Sequence, residues 1–192
     1  MRDELDTILV VDDEERLADL FGTWLEDAYE VRTAYDGQSA LDQLDDSVSV
    51  VLLDRRMPGL SGDEVLDRIR ERGIDCRVIM VTAVDPDFDI IEMGFDDYIV
   101  KPIARDELLD IIEQVTTRAK YDTELQEYFS LVSKKALLEA EKSDRELDEN
   151  DEYRKLTDRV DTLRRQVDDL REGVLEKHED FVGAFERFDE AI

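Results

Sequence analysis

The sequence predicts an α/β fold, a doubly wound parallel sheet of five strands followed by an all-helical region, and three observations predict it. Over the first 120 residues, short apolar runs alternate with stretches of helical periodicity, the pattern of repeated βα units. One of these runs, Val48–Leu53, is apolar at nearly every position, as a strand covered on both faces must be. From Tyr121 onward proline is absent and apolar residues recur at helical spacing.

The first run covers residues 8–11 and reads as a strand. Residues 14–28 follow, with Leu17, Leu20, Phe21, Trp24 and Leu25 on one helical face. A weaker strand over 31–34 leads to a helix around 40–44, and Val48–Leu53 belongs at the centre of the sheet. Ser61 and Glu64 form a capping box ahead of Val65, Leu66 and Ile69, and Gly73 closes that helix before a strand over 77–81. Strand five covers 98–100. Beyond Lys101 and Pro102 a long helix starts near Asp106 and carries Leu108, Leu109, Ile111, Ile112 and Val115. Five strands and five helices in strict alternation, joined by right-handed crossovers, point to the flavodoxin-like strand order 2-1-3-4-5. Sheets of this kind bind ligands beyond the carboxyl ends of their strands, where the strand order reverses.

Charge narrows the function classes. The chain carries 53 Asp and Glu against 25 Lys and Arg, a formal net charge of −28 spread along its length. Self-repulsion of that size destabilises a compact state unless salt screens it, which suggests adaptation to concentrated salt. It also argues against an obvious basic face for nucleic acid, since phosphate contacts supply most non-specific DNA affinity. No stretch approaches the run of about 20 apolar residues that a membrane span needs. The opening residues lack the basic start and apolar core of a secretory signal. A single cysteine, Cys76, excludes an internal disulfide and is most simply a small buried hydrophobe at a strand start. A soluble, cytoplasmic protein without a membrane partner is the expectation.

The strand ends carry the chemistry. Strand one ends in Asp12 and Asp13, strand three in Asp54, strand four in Thr82, and strand five in Lys101 followed by Pro102. An acidic pair is commonplace in so acidic a chain, but a position directly after a buried strand is not. Three carboxylates gathered at one sheet edge raise one another's pKa values unless a cation sits among them. A hard divalent ion such as Mg²⁺ suits oxygen donors of this kind. With an ammonium nearby to neutralise the transferring oxygens, a carboxylate there is placed to attack a phosphoryl group, which makes Asp54 the nucleophile. An X-Pro bond can be cis at a cost of only about 0.5–1 kcal/mol, and a cis bond at Pro102 would point Lys101 back into the site.

These residues resemble the receiver domain of bacterial and archaeal response regulators. The likeness runs from about Thr7 to Thr117 and rests on Asp12 and Asp13, on the stretch from Leu52 through Asp54, Arg55, Arg56, Met57 and Pro58 to Gly62, on Val81, Thr82 and Ala83, and on the stretch from Asp97 to Pro102. The resemblance implies that Asp54 receives phosphate from a histidine of a partner sensor kinase. It further implies that Asp13, Asp54 and the Arg56 carbonyl hold Mg²⁺, with Asp12 acting through water, while Thr82, Ala83 and Lys101 surround the phosphate. Thr82 and Tyr98 would be the switch pair, acting on a face made by helix four, strand five and helix five. Catalysis would be confined to transfer to, and hydrolysis from, the protein's own Asp54, so the chain is not an enzyme in the ordinary sense. Two positions depart from the family. Arg56 puts a long cation at the mouth of the site, where the lifetime of the phosphoaspartate is tuned. Ala104 stands where a Ser or Thr cap is common, an omission worth about 1 kcal/mol, which Asp106 and Glu107 offset through the helix dipole.

A receiver over 1–120 and a helical region over 121–192 make up the expected organisation. The second part reads as a helix over about 121–142, a polar hinge over about 143–151, a heptad helix over about 152–178 and a tail. Tyr153, Leu156, Val160, Leu163, Val167, Leu170 and Val174 recur at alternating spacings of three and four, with Val at a and Leu at d, as in a two-stranded parallel coil. Arg159 and Arg164 would face their copies across such a dimer and repel, so an intrachain hairpin with the preceding helix is the rival. A homodimer through the receiver face or the heptad helix stays open. Phe181, Phe185 and Phe188, with Gly183 among them, suggest an amphipathic tail, and His178 reads as a surface residue. Through Glu127, Tyr128, Phe129 and Ser130, then Lys134, Lys135, Ala136 and Leu137, then the heptads to Leu170, this region resembles the HalX domain found after receivers in salt-loving archaea.

Three function classes compete. A phosphoryl-accepting signalling switch uses every motif. A phosphohydrolase of the haloacid dehalogenase type wants a second acid two residues after its nucleophile, where Arg56 stands instead. A transcription factor binding DNA through its C-terminal helices needs basic recognition positions, yet acidic residues well outnumber basic ones after Tyr121; it is kept as the alternative. A dinucleotide-binding reading fails for want of a glycine-rich loop after strand one.

Overall fold

Five runs rich in aliphatic residues form one parallel sheet: β1 (Thr7–Val11), β2 (Glu30–Ala34), β3 (Val48–Leu53), β4 (Arg77–Thr82) and β5 (Asp97–Val100). Their order is β2-β1-β3-β4-β5, the flavodoxin-like arrangement expected from the sequence. The computed structural model describes the backbone over residues 6–189 and side chains over 6–171. Helices follow as α1 (Glu15–Leu25), α2 (Gly37–Gln43), α3 (Gly62–Glu71), α4 (Arg105–Glu141), α5 (Asp144–Asp148) and α6 (Asp151–Asp189), with a 3-10 turn at Phe88–Glu92 between β4 and β5.

Successive side chains of a strand point to opposite faces, and that rule sorts the core into two layers. Ile8 and Val10 join Val50, Leu52, Ile79 and Val81 in one layer, closed by Ala18, Phe21 and Leu25 of α1 and by Leu108, Ile112 and Val115 at the start of α4. Leu9 and Val11 join Val51, Leu53, Val78 and Met80 in the other, under Ala40 and Leu41 of α2 and Val65, Leu66 and Ile69 of α3. Cys76 belongs to this second layer, and burial pushes its thiol up to about 11.

Local chemistry sets the helix ends. The Ser61–Glu64 capping box is present at α3, with the Ser61 hydroxyl accepting from the Glu64 amide and the Glu64 carboxylate accepting from the Ser61 amide. Helix α2 starts earlier than the expected 40–44, because the Asp36 carboxylate accepts from the Ser39 amide at 2.8 Å and caps the chain at Gly37. Helix α1 stops at Leu25 rather than 28. Helix α4 starts at Arg105, directly after Ala104, and carries Asp106 and Glu107 in its first turn. The fourth of the five expected receiver helices is replaced by the 3-10 turn. Pro86 and the aspartates at 85, 87 and 89 favour turns over a helix interior, and Asp87 caps the turn through the Phe88 amide at 2.7 Å. Just beyond it Met93 and Phe95 return to the second core layer.

The chain divides into two compact units, residues 1–116 and 117–192. Within the second, the segment expected as a separate helix over 121–142 is the continuation of α4, and the expected hinge holds α5, capped by a second box of Ser143 and Glu146. Contacts between the α4 continuation and α6 run within one chain. Arg159 binds Glu127 through two nitrogens at 2.9 and 2.7 Å, the Tyr153 hydroxyl donates to Glu139 at 2.7 Å, and Lys135 lies 5.8 Å from the Tyr153 ring centre. Val160, Leu163 and Val167 of the heptad pattern are buried. Val174, His178, Phe181, Gly183, Phe185 and Phe188 lie outside the residues whose side chains are described. Among the described residues, no helix is long and apolar enough to cross a membrane.

Candidate functional site

Strand register assembles the site. Val11 pairs with Leu53, so the next residues, Asp12 and Asp54, leave the sheet side by side, and the Asp54 amide donates to the Val11 carbonyl at 2.9 Å. Thr82 ends β4 opposite Val100 of β5, and the Lys101 amide donates to the Thr82 carbonyl at 2.8 Å. Lys101 thereby reaches the same edge, and its bond to Pro102 is cis.

Asp12, Asp54 and Thr82 are buried, at 3%, 8% and 1% exposure, whereas Asp13 is exposed. One carboxylate oxygen from each of Asp12, Asp13 and Asp54 lies within 4.8 Å of the others. Lys101 Nζ stands 2.6 Å from Asp12 Oδ2 and 3.6 Å from Asp54 Oδ1. The other Asp12 oxygen accepts from the Glu14 amide at 2.9 Å. Burial pushes the Asp54 carboxyl above its ordinary range, against the pull of Lys101, the Thr82 hydroxyl and the Arg55 amide; the neighbouring Asp12 adds to the rise. One ammonium against three carboxylates leaves net negative charge on a set of hard oxygen donors. That donor set fits a hard divalent cation such as Mg²⁺.

The structure therefore brings together Asp12, Asp13, Asp54, Thr82 and Lys101. Ala83 follows Thr82 at the exposed end of β4, and the Arg56 side chain is exposed. Tyr98 stands one step away: its hydroxyl donates to the Val84 carbonyl at 2.8 Å, its ring packs 5.5 Å from that of Phe95, and the Val84 amide is 3.4 Å from Thr82 Oγ1.

Two residues of the stretch that carries the resemblance, Gly62 and Arg55, receive no role from the sequence. Gly62 donates its amide to the Arg55 carbonyl at 3.0 Å, and a Cβ there would sit 2.1 Å from the Asp54 carbonyl oxygen, so the start of α3 approaches the Asp54 backbone as only glycine allows. Its place just after the capping Ser61 is a local signal for it. Arg55 turns its side chain away from the acidic cluster to pair with Asp63 and Asp89. No local pattern joins Arg55 to a residue as distant in sequence as Asp89.

The sequence profile of the response regulator receiver domain matches residues 8–113, more than half of the chain. The chain belongs to the response regulator receiver domain family. A second profile, that of the HalX domain, matches residues 117–185 of this response regulator. A provisionally named transcriptional regulator of Haloferax volcanii is 52% identical over 134 residues, 69% of this chain and 23% of that protein. The transcriptional regulatory protein CutR of Streptomyces coelicolor is 42% identical over 107 residues, 53% of this chain and 49% of its own length. This regulator thus spans under a quarter of the Haloferax relative and about half of the Streptomyces one. Its fold is similar to that of the Thermotoga maritima response regulator TrrA, crystallised in complex with Mg²⁺ and BeF, with 35% identity and a TM-score of 0.52 over 58% of this chain and 99% of that one. A CheY-like receiver of Methanospirillum hungatei is also similar, with 28% identity and a TM-score of 0.55 over 60% of this chain and 98% of that one.

Proposed function

We propose that this response regulator is the phosphoacceptor of a two-component relay, in which Asp54 takes a phosphoryl group from a histidine of a sensor kinase. The observation that carries the reading is the enclosure of Asp54 at the sheet edge, between Asp12 and Lys101 and beside the Thr82 hydroxyl. An Asp54 carboxylate oxygen forms the new P–O bond as the P–N bond of the phosphohistidine breaks, and the imidazole leaves with the electron pair. Lys101 faces the phosphoryl oxygens, and Thr82 with the amide of Ala83 supplies hydrogen bonds to them. Asp13, Asp54 and the Arg56 carbonyl would hold Mg²⁺, with Asp12 acting through water, and the ion supplies neutralisation of the transferring oxygens. Phosphorylation adds roughly −1.5 to −2 charges. Thr82 moves to meet the added oxygens, Tyr98 follows, and the altered face of β5 and its neighbours passes the signal to a helical output region over 121–192. The protein acts in the cytoplasm and turns over only its own acyl phosphate.

Acetyl phosphate tests this without the kinase. In high salt with Mg²⁺, intact mass shows a single phosphoryl adduct on the wild type and none on Asp54→Asn; no adduct on folded wild-type protein contradicts it. A second reading, control of transcription through the helical region, is favoured by the names of the Haloferax and Streptomyces relatives. Gel-shift assays at high salt test it, and the acidic balance of residues after Tyr121 predicts no shift.

A further inference from the structure

We infer that Arg55, the residue next to the acceptor, is a positioning residue whose guanidinium latches the β4–β5 segment in its unphosphorylated arrangement and so sets how readily Asp54 is charged. The inference rests on the reading of Asp54 as acceptor and of Thr82 and Tyr98 as the responding pair.

The Arg55 side chain is only 11% exposed, and it ties the end of β3 to α3 and to the 3-10 turn. Its Nε lies 3.0 Å from Asp63 Oδ1 and its Nη2 3.2 Å from Asp63 Oδ2, a two-pronged grip on α3. The same Nη2 pairs with Asp89 on the 3-10 turn. On β5 the Tyr98 hydroxyl donates to the Val84 carbonyl, in the same segment that carries Asp89. The turn needs such a tie. None of its five residues is buried: Phe88 and Ile91 are 85% and 75% exposed, and Ile90 is only partly covered. With so little apolar anchorage, the Asp89 pair with Arg55 is a tie of the turn to the end of β3.

The latch is wired to the acceptor through its own backbone. Arg55 directly follows Asp54, and its carbonyl accepts from the Gly62 amide at 3.0 Å. When Thr82 moves toward a phosphoryl group, it draws on Val84, the residue that Tyr98 holds. Tyr98 then has to leave Val84, and the segment that Arg55 holds through Asp89 has to shift with it. Whatever free energy the latch contributes opposes that change, and by linkage it weakens the binding of any ligand that requires it.

The test is titration of the full chain with beryllofluoride in Mg²⁺ at one fixed high salt concentration. Asp89→Asn leaves the acidic cluster intact and should bind about fivefold tighter than wild type. Arg55→Met should tighten at least as much, and Arg55→Lys should fall between because it keeps the charge but not the fork. Should Arg55→Met fail to fold, Asp89→Asn and Arg55→Lys still decide the matter. A merely structural tie would lower the melting temperature and leave the affinity unchanged or weaker, and that result for Asp89→Asn overturns the latch. In that case wild-type binding that Asp54→Asn abolishes shows that the receiver reading survives. Wild-type protein that binds no beryllofluoride overturns the receiver reading, and the latch with it.

Discussion

Lys101 brings one ammonium to a pocket where two of three carboxylates are buried, and its own side chain is 14% exposed. Removing one partner from a buried pair leaves an uncompensated charge, so Lys101→Met should cost about 3 kcal/mol in metal-free protein. Urea denaturation in chelator measures this, and added Mg²⁺ should recover part of the loss. Gly62→Ala should be worse, because the new methyl collides with backbone rather than with a side chain that can swing aside. It is expected to lower stability by at least about 2 kcal/mol and to abolish labelling by acetyl phosphate. Burial holds the Cys76 thiol at about 11, so the folded protein should resist alkylation near pH 8 and react only as the pH rises toward that value or as the chain unfolds. At this scale the sequence is legible wherever a polar residue ends an apolar run, as Asp12, Asp54, Thr82 and Lys101 do. Arg55 is not legible in this way, because its partners lie on two other elements and only the fold brings them near.

Elements are legible where the signal is local. The Ser61–Glu64 box needs only its own four residues, and it is present at α3. Replacing Ser61 with Ala should cost about 1 kcal/mol in thermal or urea unfolding without disturbing the acidic cluster. The Asp36 cap carries the same chemistry, but the apolar spacing after it begins late, and that spacing alone puts the start of α2 too far along. The β4–β5 segment is harder. A five-residue 3-10 turn and one turn of α-helix carry similar short patterns, so alternation alone suggests a helix that Pro86 and its neighbouring aspartates do not build. Heptad spacing in α6 is equally compatible with a dimeric coil and a hairpin. Within the single chain Arg159 pairs with Glu127 of α4, and this contact leaves a second copy of the chain untested.

For the whole molecule, the net charge of −28 governs how stability responds to salt, because its self-repulsion opposes the compact state that the core favours. Screening lengths fall from about 10 Å at 0.1 M salt to about 3 Å at 1 M, so the urea midpoint should rise steeply over that range. A flat response would show that the acidic surface does not govern stability. Fold class and site are readable together because a parallel doubly wound sheet gathers the carboxyl ends of its strands at one edge, so the set of strand-end residues is already a site. The central claim concerns Asp54 itself. Borohydride reduces an aspartyl phosphate to homoserine, and peptide masses locate the change after treatment with acetyl phosphate. Homoserine at position 54 alone, dependent on Mg²⁺, is the expected result; homoserine at another aspartate, or equal yield after chelation, would contradict it.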